Sequence, residues 1–375
     1  AGKERIYYET ERIESLPETE QALVDIHPYW RRVLVQQNIP EKLKALEELS
    51  RNLWWSWTQD AIDLFASIDP ELWEEVKENP VELLERLHYD TLIKLETDND
   101  FIKKLQEVHA AFVAYMAEAP REGLPSITYF SMEYGIHNSQ KTLSGGLGLL
   151  AGDYLKEASD YNIPLTGVGL LYRYGYFRQV ISAGGEQVAH SDAQDFSRLP
   201  VTPVRDEQGN WKNVQIVLPG RTLFARIWKV QVGRIPLYLL DTDYEANQEG
   251  DRGITHNLYG GDNENRLRQE ILLGIGGIRA MRSIGLDTDL YHCNEGHAAF
   301  TSLERLREYI QSDNMTFPEA VELVRASSLF TTHTPVPAGH DSFEEDLLRT
   351  YVAHYPERLK ITWNQFMDLG RYHPN

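Results

Sequence analysis

The sequence predicts an α/β protein with a mainly parallel sheet covered on both faces, set behind a helical region and carrying a β-rich insertion. Three observations lead there. From Leu124 onward, short β-branched or aromatic runs alternate with helix-length segments, which calls for crossover connections and therefore parallel strands. From Pro40 to about Glu118 the apolar residues recur at helical spacing instead. Between 173 and 240 the runs crowd together like antiparallel neighbours.

Residues 1–38 are rich in Glu and aromatics, lack a clear period and read as a leader or linker. Residues 39–120 read as a helical domain. Leu43, Leu46, Leu53, Trp54 and Trp57 fall on one helix face, and Asp69-Pro70 supplies an acidic N-cap with Pro at the first helical position. The cluster Leu53-Trp54-Trp55-Ser56-Trp57 offers indole faces on which a sugar could stack. A helix–helix core is the stronger reading, because three of these five residues lie on the stripe. Residues 121–375 form the α/β unit. Strands are expected at Ile127–Phe130, Leu165–Leu171, Val214–Leu218, Leu223–Val232, Ile235–Leu240, Leu290–Cys293 and Leu329–Thr332. Helices are expected at 145–160, 263–284, 296–311 and 317–326. Gly274, Gly276 and Gly277 weaken the second of these, and close helix–sheet packing is the reason to tolerate them.

Charge narrows the partners. With 37 basic against 57 acidic residues the formal charge is −20, which disfavours nucleic acid and anionic membrane, and no Lys/Arg run offsets it. A neutral polymer or a small metabolite is the easier partner. The single cysteine, Cys293, excludes an intrachain disulfide and fits a reducing compartment. Neither a signal-peptide pattern nor a membrane-length apolar run occurs, so a soluble, cytoplasmic protein is expected.

Ligands of an open parallel sheet bind at the carboxyl ends of its strands, and four loops fall there. Ser144-Gly145-Gly146-Leu147-Gly148 opens a helix, where glycines admit a ligand to the backbone and free amides favour an anion. Tight packing explains such a turn equally well. Asp262 and Asn263, in Gly260-Gly261-Asp262-Asn263-Glu264-Asn265, suit helix capping and ligand binding alike. Asn294-Glu295-Gly296-His297 follows one strand. His333-Thr334-Pro335-Val336-Pro337-Ala338-Gly339-His340-Asp341 follows the last, and His333 there suits a structural and a catalytic role alike. His292, His297, His333 and His340 match no zinc spacing, and His292 and Cys293 point to opposite faces of a strand, so no metal site is expected. No dinucleotide glycine pattern follows the first strand, and neither a Walker loop nor a nucleophile elbow appears.

Five motifs stand in a fixed order: Ser131-Met132-Glu133-Tyr134-Gly135, Ser144-Gly145-Gly146-Leu147-Gly148, Arg266-Leu267-Arg268-Gln269-Glu270, Asn294-Glu295-Gly296-His297 and Thr332-His333-Thr334-Pro335-Val336-Pro337. The series resembles the N-terminal half of the α-glucan (glycogen/maltodextrin) phosphorylases, over about residues 39–375. Asn52–Trp57 with Asp69–Trp73 resembles the helical extension of their short bacterial and archaeal branch. The resemblance implies the N-terminal Rossmann-like lobe of a GT-B glycosyltransferase, in which two lobes face each other across a cleft. It implies retaining phosphorolysis of α-1,4-glucan by inorganic phosphate to glucose 1-phosphate, with pyridoxal phosphate acting through its phosphate group. A homo-oligomer is compatible with it.

Site roles follow from the same resemblance. Gly145, Gly146 and Leu147 would line the glucosyl and phosphate site, and Glu133 would arrange the phosphate-binding groups. Asp262 and Asn263 would sit on the loop gating the glucan. His333 would contact the sugar, with its backbone carbonyl facing positive charge that develops at the anomeric carbon, and Glu295 would support the His333 loop. The family's cofactor lysine and second lobe have no counterpart here; Lys360, the last lysine, lies in an Arg-Leu-Lys-Ile context. The chain therefore reads as a fragment holding half an active site and inactive alone. Gly135 stands where other members place an aromatic over the cofactor. Two alternatives are a glycogen or starch synthase-like enzyme of the same fold and a non-catalytic glucan-binding remnant. The synthases place a Lys before their glycine loop, where this chain has Ser144.

Overall fold

The computed structural model describes residues 38–335 and 341–371, so the expected leader and His340 lie outside the described residues. Six helices come first: α1 (Ala45–Arg51), α2 (Gln59–Ile68), α3 (Pro70–Glu75), α4 (Pro80–Arg86), α5 (Tyr89–Thr97) and α6 (Asn99–Ala117). Short polar side chains start several of them by accepting from otherwise free amides. Asp69 takes the Leu72 N–H at 3.0 Å before α3, Asn79 the Val81 N–H at 3.1 Å before α4, and Asp98 the Phe101 N–H at 3.1 Å before α6.

The stripe expected to run unbroken from Leu43 to Trp57 is interrupted at Asn52. Its side-chain oxygen accepts from Trp54 N–H (3.0 Å) and Gly233 N–H (2.9 Å), while its amide donates to the Gly233 carbonyl at 3.0 Å. Leu53–Trp57 consequently turns as a 3₁₀ segment. Trp55, 1% exposed, stands edge-on to Phe65 and Trp73 with ring centroids 6.0 and 5.9 Å away. The tryptophan cluster is core.

The strands are β1 (Ile127–Phe130), β2 (Leu165–Leu170), β3 (Arg178–Ile181), β4 (Gln187–His190), β5 (Val201–Pro203), β6 (Asn213–Leu218), β7 (Arg221–Val232), β8 (Ile235–Asp241), β9 (Leu290–Asn294) and β10 (Ser328–Thr331). One eight-stranded sheet runs β10-β9-β1-β2-β8-β7-β5, with β6 also on β7. The first five in that order are mutually parallel, and β7 joins β8 antiparallel. The β-rich insertion expected to decorate the sheet over 173–240 is largely built into it. Residues 201–241 widen the main sheet itself, β8 lies within its parallel part, and only the β3–β4 hairpin stands apart.

Both faces are covered, as a parallel sheet requires. Helix α7 (Gly146–Asp160) and the helical region pack on Tyr129, Leu165 and Leu237. On the opposite face the chain rises as α8 (Glu249–Arg252), α9 (Asn263–Ile271), a π-turn at Leu272–Gly276 and α10 (Gly277–Ser283). It continues as α11 (Phe300–Gln311), α12 (Phe317–Ala326), α13 (Glu345–Val352), α14 (Tyr355–Leu359) and α15 (Trp363–Met367). This layer packs on Phe130, Val168, Leu170 and Leu240. Gly277 lies against the sheet: a Cβ there would stand 2.9 Å from the Phe130 ring. Among the described residues no helix is long and apolar enough to cross a membrane.

Glu304 on α11 is fully buried. It accepts from Arg279 Nε and Arg307 Nη2, both at 2.8 Å, and from the Tyr355 hydroxyl at 2.5 Å. Burial opposes its charge, but the two guanidiniums outweigh that and hold its carboxyl below the usual range. Glu304→Ala should cost about 3–5 kcal/mol, because it removes the buried carboxylate that two partly exposed guanidiniums and a buried phenol share. Urea melts measure this directly, and a loss under about 1 kcal/mol would mean that water reaches the arginines.

Candidate active site at the carboxyl ends of the parallel strands

Strand β1 has β2 on one side and β9 on the other, so the chain reverses its direction of winding between β1 and β9. A crevice opens at such a point, outside the strand ends. The loops that leave β1, β9 and β10 all meet there.

Beyond β1, the Ser131 hydroxyl donates to the Glu133 carbonyl at 2.9 Å and accepts from the Asn294 amide at 3.2 Å, joining the β1 and β9 loops. Glu133 is 3% exposed. Its Oε2 accepts from Ser144 N–H at 2.7 Å and Gly145 N–H at 3.4 Å, and its Oε1 accepts from the Tyr259 hydroxyl at 2.6 Å. The carboxylate is thus the floor under the glycine turn.

The glycines of that turn divide into two kinds. Gly152 is a packing glycine: a Cβ there would lie 2.1 Å from the Gly135 carbonyl oxygen. Gly135 is one too, since a Cβ on it would meet Leu143 at 2.6 Å. Gly145 and Gly146 are different, because added Cβ atoms would meet nothing within 4 Å. Packing leaves these two positions free. They are exposed at the start of the 15-residue α7, where the Gly146 and Leu147 amides have no hydrogen-bond acceptor among the described residues. A helix start with free amides attracts an anion.

Glu295 begins the β9 loop with φ 60° and ψ −175°, a region nearly reserved for glycine that costs about 1–3 kcal/mol. Hydrogen bonds hold it there. Its Oε1 accepts from the backbone N–H groups of His333 (2.6 Å) and Thr334 (3.0 Å), and its Oε2 from the Thr332 hydroxyl at 3.2 Å. Burial works against its charge, yet these donors prevail and keep the carboxyl below its usual range. The His333 ring Nε2 lies 2.8 Å from Asn294 Oδ1, which accepts its proton because the Asn294 amide is spent on Ser131. Nδ1 of a neutral His333 is then the ring's acceptor.

Asp262 caps α9 through the Asn265 N–H at 2.9 Å, and Asn263 donates to the Ser342 carbonyl at 3.4 Å. Both are exposed. Capping therefore occupies one Asp262 oxygen. The structure gathers Glu133, Gly145, Gly146, Leu147, His333 and Glu295 through Ser131 and Asn294, and joins the Asp262 loop to them through Tyr259. Among the described residues no three His, Cys, Asp or Glu side chains converge as a metal site.

Sequence reasoning missed several members. Tyr259 escaped it; Asn294, Arg266, Glu270, His297 and Asp341 stand in the motifs and loops it marked but received no role. Arg266 Nε donates to Asp341 Oδ2 at 2.8 Å, and His297 Nε2 lies 3.7 Å from the same oxygen. Burial, then Arg266, pulls His297 down to about 4, so it is neutral at ordinary pH. Burial, then the neighbouring Asp341 carboxyl, pushes Glu270 up to about 10, which favours its neutral acid form. The motifs marked the loops that carry these residues but not their contacts. Their partners lie across the fold.

The chain was then compared with known proteins. A family model described as "Protein of unknown function (DUF3417)" matches residues 39–140. Glycogen phosphorylase of Mycobacterium tuberculosis is 44% identical over 340 residues, covering 86% of this chain and 39% of that protein. Maltodextrin phosphorylase of Thermococcus litoralis is 41% identical, covering 90% of this chain and 41% of that protein. Glycogen phosphorylase of Aquifex aeolicus is 37% identical, covering 88% of this chain and 48% of that protein. The chain thus spans less than half the length of these relatives.

Glu270 keeps a proton when folded that it releases when unfolded, so stability falls with rising pH between its ordinary value of 4.5 and about 10. The slope is at most about 1.4 kcal/mol per pH unit. Glu270→Gln should therefore gain stability relative to the parent from pH 5 to pH 9 in urea melts. Parallel curves would mean that Glu270 is ionised. Over most of its length, then, this chain is similar in sequence to proteins named glycogen phosphorylase and maltodextrin phosphorylase.

Proposed function

We propose that this chain is the N-terminal lobe of a two-lobed GT-B α-1,4-glucan phosphorylase, working in the cytoplasm as part of a longer polypeptide. One observation carries the reading: a helix start whose glycines face open space and whose free amides sit over Glu133, which hydrogen bonds through Ser131 and Asn294 join to His333. The names of the similar proteins point the same way. In the reaction, the bond between C1 of the terminal glucose and its glycosidic oxygen breaks. Phosphate oxygen bonds to C1 with retention, and the departing sugar oxygen gains the proton that the phosphate gives up.

Each residue then has a task. The Gly146 and Leu147 amides bind the phosphate side, a fixed set of donors that needs no reorganisation as charge shifts. Glu133 fixes those amides from below. His333 contacts the sugar, and its carbonyl, which accepts no hydrogen bond among the described residues, faces the developing positive charge. Asp262 and Asn263 meet the glucan side, and Glu295 shapes the loop that presents His333.

Pyridoxal phosphate fits this chain only in part. The open amides suit a phosphate, but no lysine among the described residues hydrogen-bonds to the site loops, and Lys141 Nζ turns to the Asp192 carbonyl at 3.2 Å. No step is therefore derived through the cofactor.

The test is glucose 1-phosphate release from maltodextrin and phosphate by the longest native polypeptide containing this chain, supplied with pyridoxal phosphate. Glucose transfer from ADP-glucose in place of release would assign a synthase. In the same assay His333→Ala should lower kcat by roughly 10²-fold while the glucan KM moves far less. Equal losses in both would leave His333 structural. Gly146→Val should raise the phosphate KM at least about tenfold and change stability by less than about 1 kcal/mol. An unchanged phosphate KM would reduce the glycine turn to packing.

A further inference from the structure

Tyr259 takes no part in the scheme above, yet its surroundings are specific. Its φ is 55°, in the left-handed region that bulky residues avoid, immediately before Gly260 and Gly261 and three residues before Asp262. The ring lies under the Arg266 guanidinium, 4.2 Å from its centroid, and against the His297 ring at 5.6 Å. Its hydroxyl reaches across to Glu133 Oε1 at 2.6 Å. Burial, then the Glu133 charge, pushes the phenol well above its ordinary value, so it remains a donor at any working pH.

Glu133 presents a difficulty that this contact resolves. A carboxylate beneath a helix start competes with any anion for the same amides and repels it. Here Oε2 is committed to the Ser144 and Gly145 amides, while Oε1 accepts a short bond from Tyr259 at 2.6 Å and only a long one from the Ser144 hydroxyl at 3.4 Å. A Cβ on Gly148 would strike Oε2 at 2.7 Å, so the carboxylate lies tight beneath the first turn of α7. Without the phenol, Oε1 keeps only the long Ser144 hydroxyl contact and is held less firmly away from the Gly146 and Leu147 amides. The same hydroxyl also ties the backbone just before Asp262 to the glycine turn.

We propose that Tyr259 is a positioning residue that couples the Asp262–Asn263 loop to the anion site, acting through Glu133. Displacing that loop pulls the phenol off Oε1 and weakens anion binding; binding an anion holds the loop in place. The anion's role as reaction partner rests on the function proposed above, but the coupling is testable without turnover.

Inorganic phosphate titrated calorimetrically into the longest native polypeptide is the probe. Tyr259→Phe, which keeps the ring under Arg266, should weaken phosphate binding severalfold. In a Glu133→Gln background the same change should have almost no further effect, because the group it acts through is no longer charged. With turnover as a second readout, the phosphate KM should rise more than the glucan KM. Additive effects of the two substitutions, or phosphate binding unaltered by Tyr259→Phe, would overturn the proposal. Coupled phosphate binding without glucose 1-phosphate release would uphold it and sink the phosphorylase reading. Absence of phosphate binding in the unsubstituted protein would overturn both.

Discussion

A buried negative charge at the end of β1 sets the terms for everything around it. Glu133 is taken out of water, and an unpartnered carboxylate there is too costly to persist. The fold must bring donors to it from separate places: backbone amides from the glycine turn and a phenol from the segment before α9. Those donors are what bring the two loops together. The strained Glu295 plays the same part on the neighbouring strand, gathering three consecutive residues of the β10 loop. Each crevice wall is thus organised by one carboxylate facing backbone amides.

Two other buried acids show that the chemistry of burial is decided by neighbours. Glu304 meets two guanidiniums and stays ionised, riveting α10 and α14 to α11. Glu270 has its nearest guanidinium largely claimed by Asp341 and gives up its charge. Identical side chains, similarly buried, are a structural ion in one place and a neutral acid in the other.

How far these features were legible depends on the range of the contacts behind them. The strands at Ile127–Phe130, Leu165–Leu170 and Leu290–Asn294 were readable because composition and length are local properties. So were the helix starting at Gly146 and the cap at Asp69. The break at Asn52 was not, since its cause is Gly233, far along the chain and joined only through tertiary structure. β8 was read as part of an insertion because its antiparallel neighbour β7 is close in sequence, whereas its parallel partner β2 is remote. At the site, the motifs marked the right loops but not what connects them. Tyr259 sits in no motif, and Glu270 looked like an ordinary polar helix position until Asp341 was brought against it.

The π-turn at Leu272–Gly276 has a consequence for how this protein could vary. Regular helix advances about 100° per residue, so one extra residue in a turn changes which directions the two flanking segments face. Here α9 must aim Arg266 and Glu270 at the crevice, while α10 must present Gly277 to Phe130. The widened turn sets the angular offset between these two demands. A lineage that lost one residue from it would recover an ideal helix and misdirect half of it, keeping either the crevice or the sheet contact. Length in this stretch is therefore constrained along with sequence, since Gly274 and Gly276 are packed as closely as Gly277.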